Sequence, residues 1–186
     1  MSRLKEKQDF LQLAMQRQSQ RNYADKPVEK EKIERCLEAA RLAPSASNAQ
    51  PWKFIVVDDV DLKNKIADTT ANKLLPINHW TKQAPVHVVL VLEKPNLNSK
   101  IGEIVRNKKF IIMDVGIAAE HFCLQAVEEG LGTCMIGWFN EKKVKEMLNI
   151  PKSKRAMLVI SVGYPEGKHR EKIRKPMDEI VSYNRY

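Results

Sequence analysis

The chain has 186 residues and a formal net charge of +9, from 32 Lys and Arg against 23 Asp and Glu. That length supports one domain, residues 1–186, with a core that needs no metal or disulfide staple, and 43% hydrophobic with 30% charged residues excludes gross disorder. The excess positive charge leaves nucleic acid, an anionic surface and a phosphorylated ligand all open, while Cys36, Cys123 and Cys134 form no CxxC pair, argue against a disulfide framework or thiolate zinc, and fit a reducing, cytoplasmic setting.

The opening residues MSRLKEKQDF lack the apolar core of a signal peptide, and no stretch is expected to approach the roughly 20 apolar residues of a membrane span. The first helix is expected after Pro27, where Ile33, Cys36, Leu37 and Ala40 recur at helical spacing, with an end at Pro44. Lys53 to Val57 reads as a buried strand, and a helix follows from about Asp61 into the low seventies. Residues 72–84 have no convincing period and read as a broken helix or loop, so the His79–Trp80 pair is taken as packing. Val86 to Leu92 is expected as a central strand, and Pro95 to Lys100 as a loop.

Phe110 to Glu129 is the most apolar helix, with apolar residues on more than one face, which predicts burial against its own sheet and a partner chain. Gly130–Leu131–Gly132 stops it and Thr133 to Trp138 reads as a strand. Asn140 is a good N-cap for a helix over Glu141 to Leu148. Ala156 to Val162 is the last strand, before the turn at Gly163–Tyr164–Pro165–Glu166–Gly167 and a basic tail. Helices and strands interleave without Rossmann regularity, so α+β or a mixed α/β sandwich is expected.

Three segments are too polar or too particular to be scaffold alone. Arg17–Gln18–Ser19–Gln20–Arg21 places two guanidinium groups four residues apart around a hydroxyl, a set that holds phosphate, or equally a solvated helix end. Pro44 to Trp52 is a run of small and amide side chains between prolines, which lets a flat ligand approach the backbone but also suits a plain connection. The third is the tail His169–Arg170–Glu171–Lys172–Ile173–Arg174–Lys175, in a stretch with twelve Lys and Arg against six Asp and Glu from Asn140 onward, which reads as an anion site or a solvated tail.

In combination these elements resemble the FMN-dependent nitroreductase family of flavin oxidoreductases. The matching motifs are Arg17–Arg21, Pro44–Trp52, Gly130–Cys134, Gly163–Pro165 and Lys172–Pro176, in the family's order and covering nearly all of the chain from residue 17. The resemblance implies an α+β fold with a central, mainly antiparallel mixed sheet flanked by helices, in an intertwined homodimer with FMN at the subunit interface. It implies that Arg17, Lys172 and Arg174 hold the FMN phosphate. Ser19 and Arg21 would meet the ribityl chain and the pyrimidine edge, with Gln18 beside them. Pro44, Ser45, Ala46, Ser47, Asn48 and Gln50 would come from the other subunit to wall the ring. Ile136 and Gly137 would approach it through backbone groups.

The implied activity is NAD(P)H-dependent reduction of nitroaromatics, quinones or related acceptors by ping-pong hydride transfer, with NADH or NADPH as transient donor. No catalytic side chain and no metal ligand are assigned, and the cysteines are read as core. Trp138 and Phe139 are candidates for the cleft wall. Two alternatives stand beside this reading: a flavin-binding scaffold or sensor without turnover, and a basic nucleic-acid-binding module. The latter lacks interleaved aromatics and a recognition-helix pattern.

Overall fold

A computed structural model describes residues 9–71, 77–93 and 109–186. The helices are α1 (Phe10–Gln16), α2 (Lys30–Arg41), α3 (Val60–Thr70), α4 (Phe110–Glu128), α5 (Glu141–Met147) and α6 (Met177–Ile180). The strands are β1 (Trp52–Val57), β2 (Val86–Leu92), β3 (Gly132–Ile136) and β4 (Arg155–Gly163). They form one sheet in the order β1-β2-β4-β3, antiparallel at every step. The expected loop at Pro95–Lys100 lies outside the described residues.

β2 is apolar almost throughout because both of its faces are covered, and β-branched side chains pack well on such a pleat. Val86, Val88 and Leu90 meet Ile33 and Cys36 of α2 and Val115, Ala119 and Phe122 of α4. Val89 and Val91 point the other way, toward Ile66 of α3 and Val144 of α5. Helix ends follow local chemistry. Asp59 accepts from Leu62 N at 2.8 Å to start α3, and Asn140 accepts from Lys143 N at 3.1 Å to start α5. α4 stops in a Schellman motif, with Gly130 at φ 73°, Leu131 N bonded to Ala126 O and Gly130 N to Val127 O.

Three expectations are corrected. α1 was not foreseen, because its seven residues bury none of their own and lack a capping side chain. β3 ends at Ile136 rather than Trp138: pairing with β4 stops at Ile136 opposite Val159, and Trp138 is 66% exposed. α4, with 19 residues and a mean hydropathy of 1.5, is long and apolar enough for a membrane span, contrary to the expectation that no stretch approaches one. Here Val115, Ala118, Ala119, Phe122, Cys123 and Ala126 bury one of its faces within the core.

His87 of β2, opposite Ser161 of β4, is fully buried, and neither ring nitrogen has a partner among the described residues. Burial first, and the charge of Lys63 second, push its pKa from 6.5 down to about 4. The folded protein therefore holds a neutral imidazole, whereas the unfolded chain takes up a proton as pH falls below about 6.5. Stability from this group is complete above that pH and is lost as pH falls toward 4, by about 3 kcal/mol in all. Urea unfolding at pH 7.5 and pH 4 is expected to show that loss in the wild-type chain, and His87→Leu to lose correspondingly less.

Candidate functional site

Residues 17–24 run along the outer edge of β3. Ser19 pairs with Thr133 in a parallel bridge and Gln20 N donates to Thr133 O at 2.8 Å. Farther along, Glu166 N donates to Asn22 O and Ala24 N to Tyr164 O, each at 3.0 Å. The segment thereby covers a sheet edge that would otherwise stand open. Gly132 makes the close approach possible, since a Cβ there would lie 2.7 Å from Gln20 Cγ. Tyr23 pins the segment from below, its buried hydroxyl donating to Gln20 O at 2.9 Å and lying 2.8 Å from Ser161 Oγ. Burial raises its pKa well above the usual phenol, so this hydroxyl stays protonated.

On this edge the two ends of the chain meet. Arg17, Gln18, Ser19 and Arg21 line a cavity of about 390 Å³ together with Arg170, Lys172 and Arg174. Lys172 Nζ donates to Arg17 O, and Arg170 Nη2 to Ser19 O. Arg17 is oriented by Glu120 of α4, Nη2 to Oε2 at 2.7 Å, while its buried Nε has no partner among the described residues. Partial burial first, and then the charges of Arg174 and Arg17, lower the pKa of Lys172. The buried Cys134 thiol is raised by burial, against opposition led by Arg21 and including the Ser19 hydroxyl, Arg17 and Arg170. Five cations around one cavity, one with an orphaned N–H, form an anion site, and fixed guanidinium forks suit a phosphate group.

The loop from Pro44 to Gln50 stands apart from this cavity. Its backbone is strained, with Ser47, Asn48 and Gln50 at φ 51°, 49° and 44°, a left-handed region that non-glycine residues seldom occupy. Two contacts hold it there: Ala46 N donates to the buried Asp114 carboxylate of α4 at 3.2 Å, and Gln50 N to Ser45 Oγ at 2.9 Å. The side chains of Ser47, Asn48 and Gln50 are exposed. Within one chain, then, the cradle and the expected ring wall are not brought together.

Ile136 is buried at the end of β3, and Gly137 follows it with open space where a Cβ would point. Of the two candidates for a cleft wall, Trp138 is solvent-facing and Phe139 packs into the core. Trp80 also packs there, 6.3 Å from the Tyr23 ring. All three cysteines are free and buried, as expected of core residues; burial pushes Cys36 up to about 12 and Cys123 up to about 11. Arg170 stood within the basic tail but was assigned no role from the sequence, although Lys168, Arg170, Lys172 and Arg174 place a cation at every second residue there. Glu120 was missed too, because nothing local marks its pairing with Arg17.

A larger cavity of about 660 Å³ lies against α5 and Pro151. Lys145 there donates to the carbonyls of Lys152 and Lys154, and Arg155 pairs with Glu141 at 2.8 Å, so these cations already serve the fold.

Comparison with known proteins agrees with the ordered motifs. The model of the nitroreductase family matches residues 14–164. The chain is 28% identical to the FMN reductase [NAD(P)H] of Bacillus subtilis, over 89% of this chain and 70% of that protein. It is 29% identical to the oxygen-insensitive NADPH nitroreductase of Helicobacter pylori, over 81% and 84%. Among solved structures, an FMN-dependent nitroreductase from Clostridium difficile R20291 superposes with a TM-score of 0.77 at 28% identity, covering 95% of this chain and all of that one.

Proposed function

The chain belongs to the nitroreductase family, and on that premise we propose that it is an FMN-dependent oxidoreductase that passes electrons from NADH or NADPH to nitroaromatics, quinones or related acceptors in a ping-pong cycle. The carrying observation is the cradle in which Arg17, Arg21, Arg170, Lys172 and Arg174 surround one cavity and the buried Arg17 Nε lacks a partner among the described residues. That donor set fits the phosphate of FMN. Arg17, Lys172 and Arg174 hold the phosphate, and Arg170 adds charge. Ser19 and Arg21, next along the segment beside β3, would meet the sugar-alcohol chain and the ring edge. Bound FMN supplies a ring nitrogen that accepts and returns a hydride.

The chain's own residues bind and orient. The open space at Gly137 leaves room for close approach to backbone, and the exposed amides of Asn48 and Gln50 offer edge contacts to a heterocycle. The cradle and the loop are separate within one chain, so each site takes Pro44, Ser45, Ala46, Ser47, Asn48 and Gln50 from the other subunit of a homodimer. Exposed apolar residues support that assembly: Phe10, Leu11 and Met15 on α1, and Ile112, Met113 and Ile117 on α4. Residues 1–186 act as one FMN-binding domain, and the three free, buried cysteines suit the reducing cytoplasm.

The deciding measurement is the absorbance spectrum of protein purified with excess FMN, before and after anaerobic addition of NADH or NADPH. Flavin bands that bleach with the nucleotide and return with a quinone or nitroaromatic are expected. A colourless protein overturns the proposal, and flavin bands that neither nucleotide bleaches overturn its catalytic part.

A further inference from the structure

The cradle is assembled from two stretches about 150 residues apart, and its like charges repel one another, which after partial burial is the second cause that lowers the pKa of Lys172. The tail must be held in place before an anion arrives. Among the described residues, the main-chain tie from the segment 168–175 to the rest of the chain is Arg170 N, which donates to Gln18 Oε1 at 3.2 Å.

The orientation of that amide is determined by its partners. A backbone N–H only donates, so the Gln18 oxygen must face Arg170, which leaves Nε2 to donate to Gln20 Oε1 at 3.0 Å. The Gln20 amide is determined in the same way, because its Nε2 faces two acceptors, Asn22 O at 2.6 Å and Glu166 O at 3.0 Å. Gln20 is itself 95% buried and anchored through its N–H on Thr133 of β3. A continuous series of neutral hydrogen bonds therefore runs from the sheet edge through Gln20 and Gln18 to the tail. Near it the tail makes three more contacts with the same stretch: His169 Nε2 with Gln16 O at 3.0 Å, Arg170 Nη2 on Ser19 O, and Lys172 Nζ on Arg17 O.

Resting on the FMN reading of the site, we propose that Gln18 is a positioning residue: its side-chain amide latches the C-terminal segment at Arg170, so that Arg170, Lys172 and Arg174 are already closed over Arg17 and Arg21 before the phosphate binds. A neutral latch is insensitive to salt and to the charge of the occupant. Preorganisation of this kind improves affinity by removing the cost of ordering the tail on binding. It gives Gln18 a role different from the contact with the cofactor inferred from its place in the motif.

The test compares the full-length wild-type chain with Gln18→Met, which keeps length and volume but has no amide, and Gln18→Glu, which keeps an oxygen acceptor for Arg170 N–H. Trypsin cuts after Arg170, Lys172 and Arg174, so the rate of cleavage in this segment of the FMN-free protein reports whether the tail is latched. Gln18→Met is expected to be cut there about tenfold faster and to bind FMN about tenfold more weakly, with an unchanged melting temperature. Gln18→Glu is expected to restore protection from trypsin only in part, because its carboxylate still accepts from Arg170 N–H but has no hydrogen to give Gln20 Oε1. Wild-type cleavage in Gln18→Met, or loss of protection in both variants alike, overturns the latch. A wild-type chain that binds no FMN overturns the flavin reading instead, and the cleavage rates still decide the latch.

Discussion

Arg17→Ala is expected to raise the Kd for FMN about 100-fold, measured by quenching of flavin fluorescence on titration with protein. Arg17 is, among the described residues, the cradle cation paired with a carboxylate, Glu120 at 2.7 Å, and its side chain is only 21% exposed. Its buried Nε is without a partner among the described residues, so an incoming phosphate oxygen gains a charge-assisted bond there. One or two such bonds are worth about 3 kcal/mol, which is roughly two decades in Kd. The substitution also leaves the Glu120 carboxylate, beside the cradle, without its Arg17 partner, adding repulsion. The double change Arg17→Ala with Glu120→Gln should recover part of the loss, and Arg17→Lys should recover less than charge alone suggests, because an ammonium lacks the planar fork. A Kd within threefold of wild type for Arg17→Ala would place the phosphate elsewhere.

The legible parts of this fold are those whose signal is local. β2 and β4 are apolar runs of strand length, α2 and α3 carry apolar residues at helical spacing, and Asn140 marks the start of α5 with the side chain that then caps it. The glycines at 130 and 132 read correctly as a stop, yet for two reasons that sequence does not separate. Gly130 takes a positive φ, while Gly132 clears room for Gln20. α1 escaped notice because its signal is inverted in a single chain: Phe10, Leu11 and Met15 point to solvent, so nothing within the chain rewards a helix there. Trp138 was drawn into β3 by its aromatic character, but the strand leaves the ladder after Ile136 opposite Val159 although β4 continues to Arg155.

The site divides in the same way. Both ends of the cradle were readable as motifs, and the structure brings Arg17, Gln18, Ser19 and Arg21 together with Lys172 and Arg174. The strained conformation of the 44–50 loop was not readable, since left-handed backbone is ordinarily signalled by glycine and here falls on Ser47, Asn48 and Gln50. It is maintained from outside the loop, by a carboxylate 68 residues away on α4. Glu120 on the same helix positions Arg17. One helix therefore sets the cradle of its own chain and the loop proposed to wall the partner's ring.

That dual role makes the seat of α4 the most sensitive packing position in the chain, and Phe122→Ala is expected to destabilise the fold by about 4 kcal/mol. Phe122 is fully buried, stacked on Phe54 of β1 with ring centroids 6.4 Å apart and planes at 17°. Its cluster includes Val88 and Leu90 of β2, Ile160 of β4, and Ile33 and Cys36 of α2. These neighbours come from the sheet and from a second helix, so they cannot all move inward to fill the space of a lost ring, and the cavity term adds to the lost burial. Urea unfolding at matched protomer concentration should show the midpoint falling with little change in slope; the concentration must be matched because a dimer is stabilised by mass action. Phe122→Leu, which keeps most of the volume, should lose only about 1 kcal/mol. A loss below 1 kcal/mol for alanine would mean that α4 is seated chiefly through its outer face. The apolar Ile112, Met113 and Ile117 would then carry it, and melting would depend steeply on protein concentration.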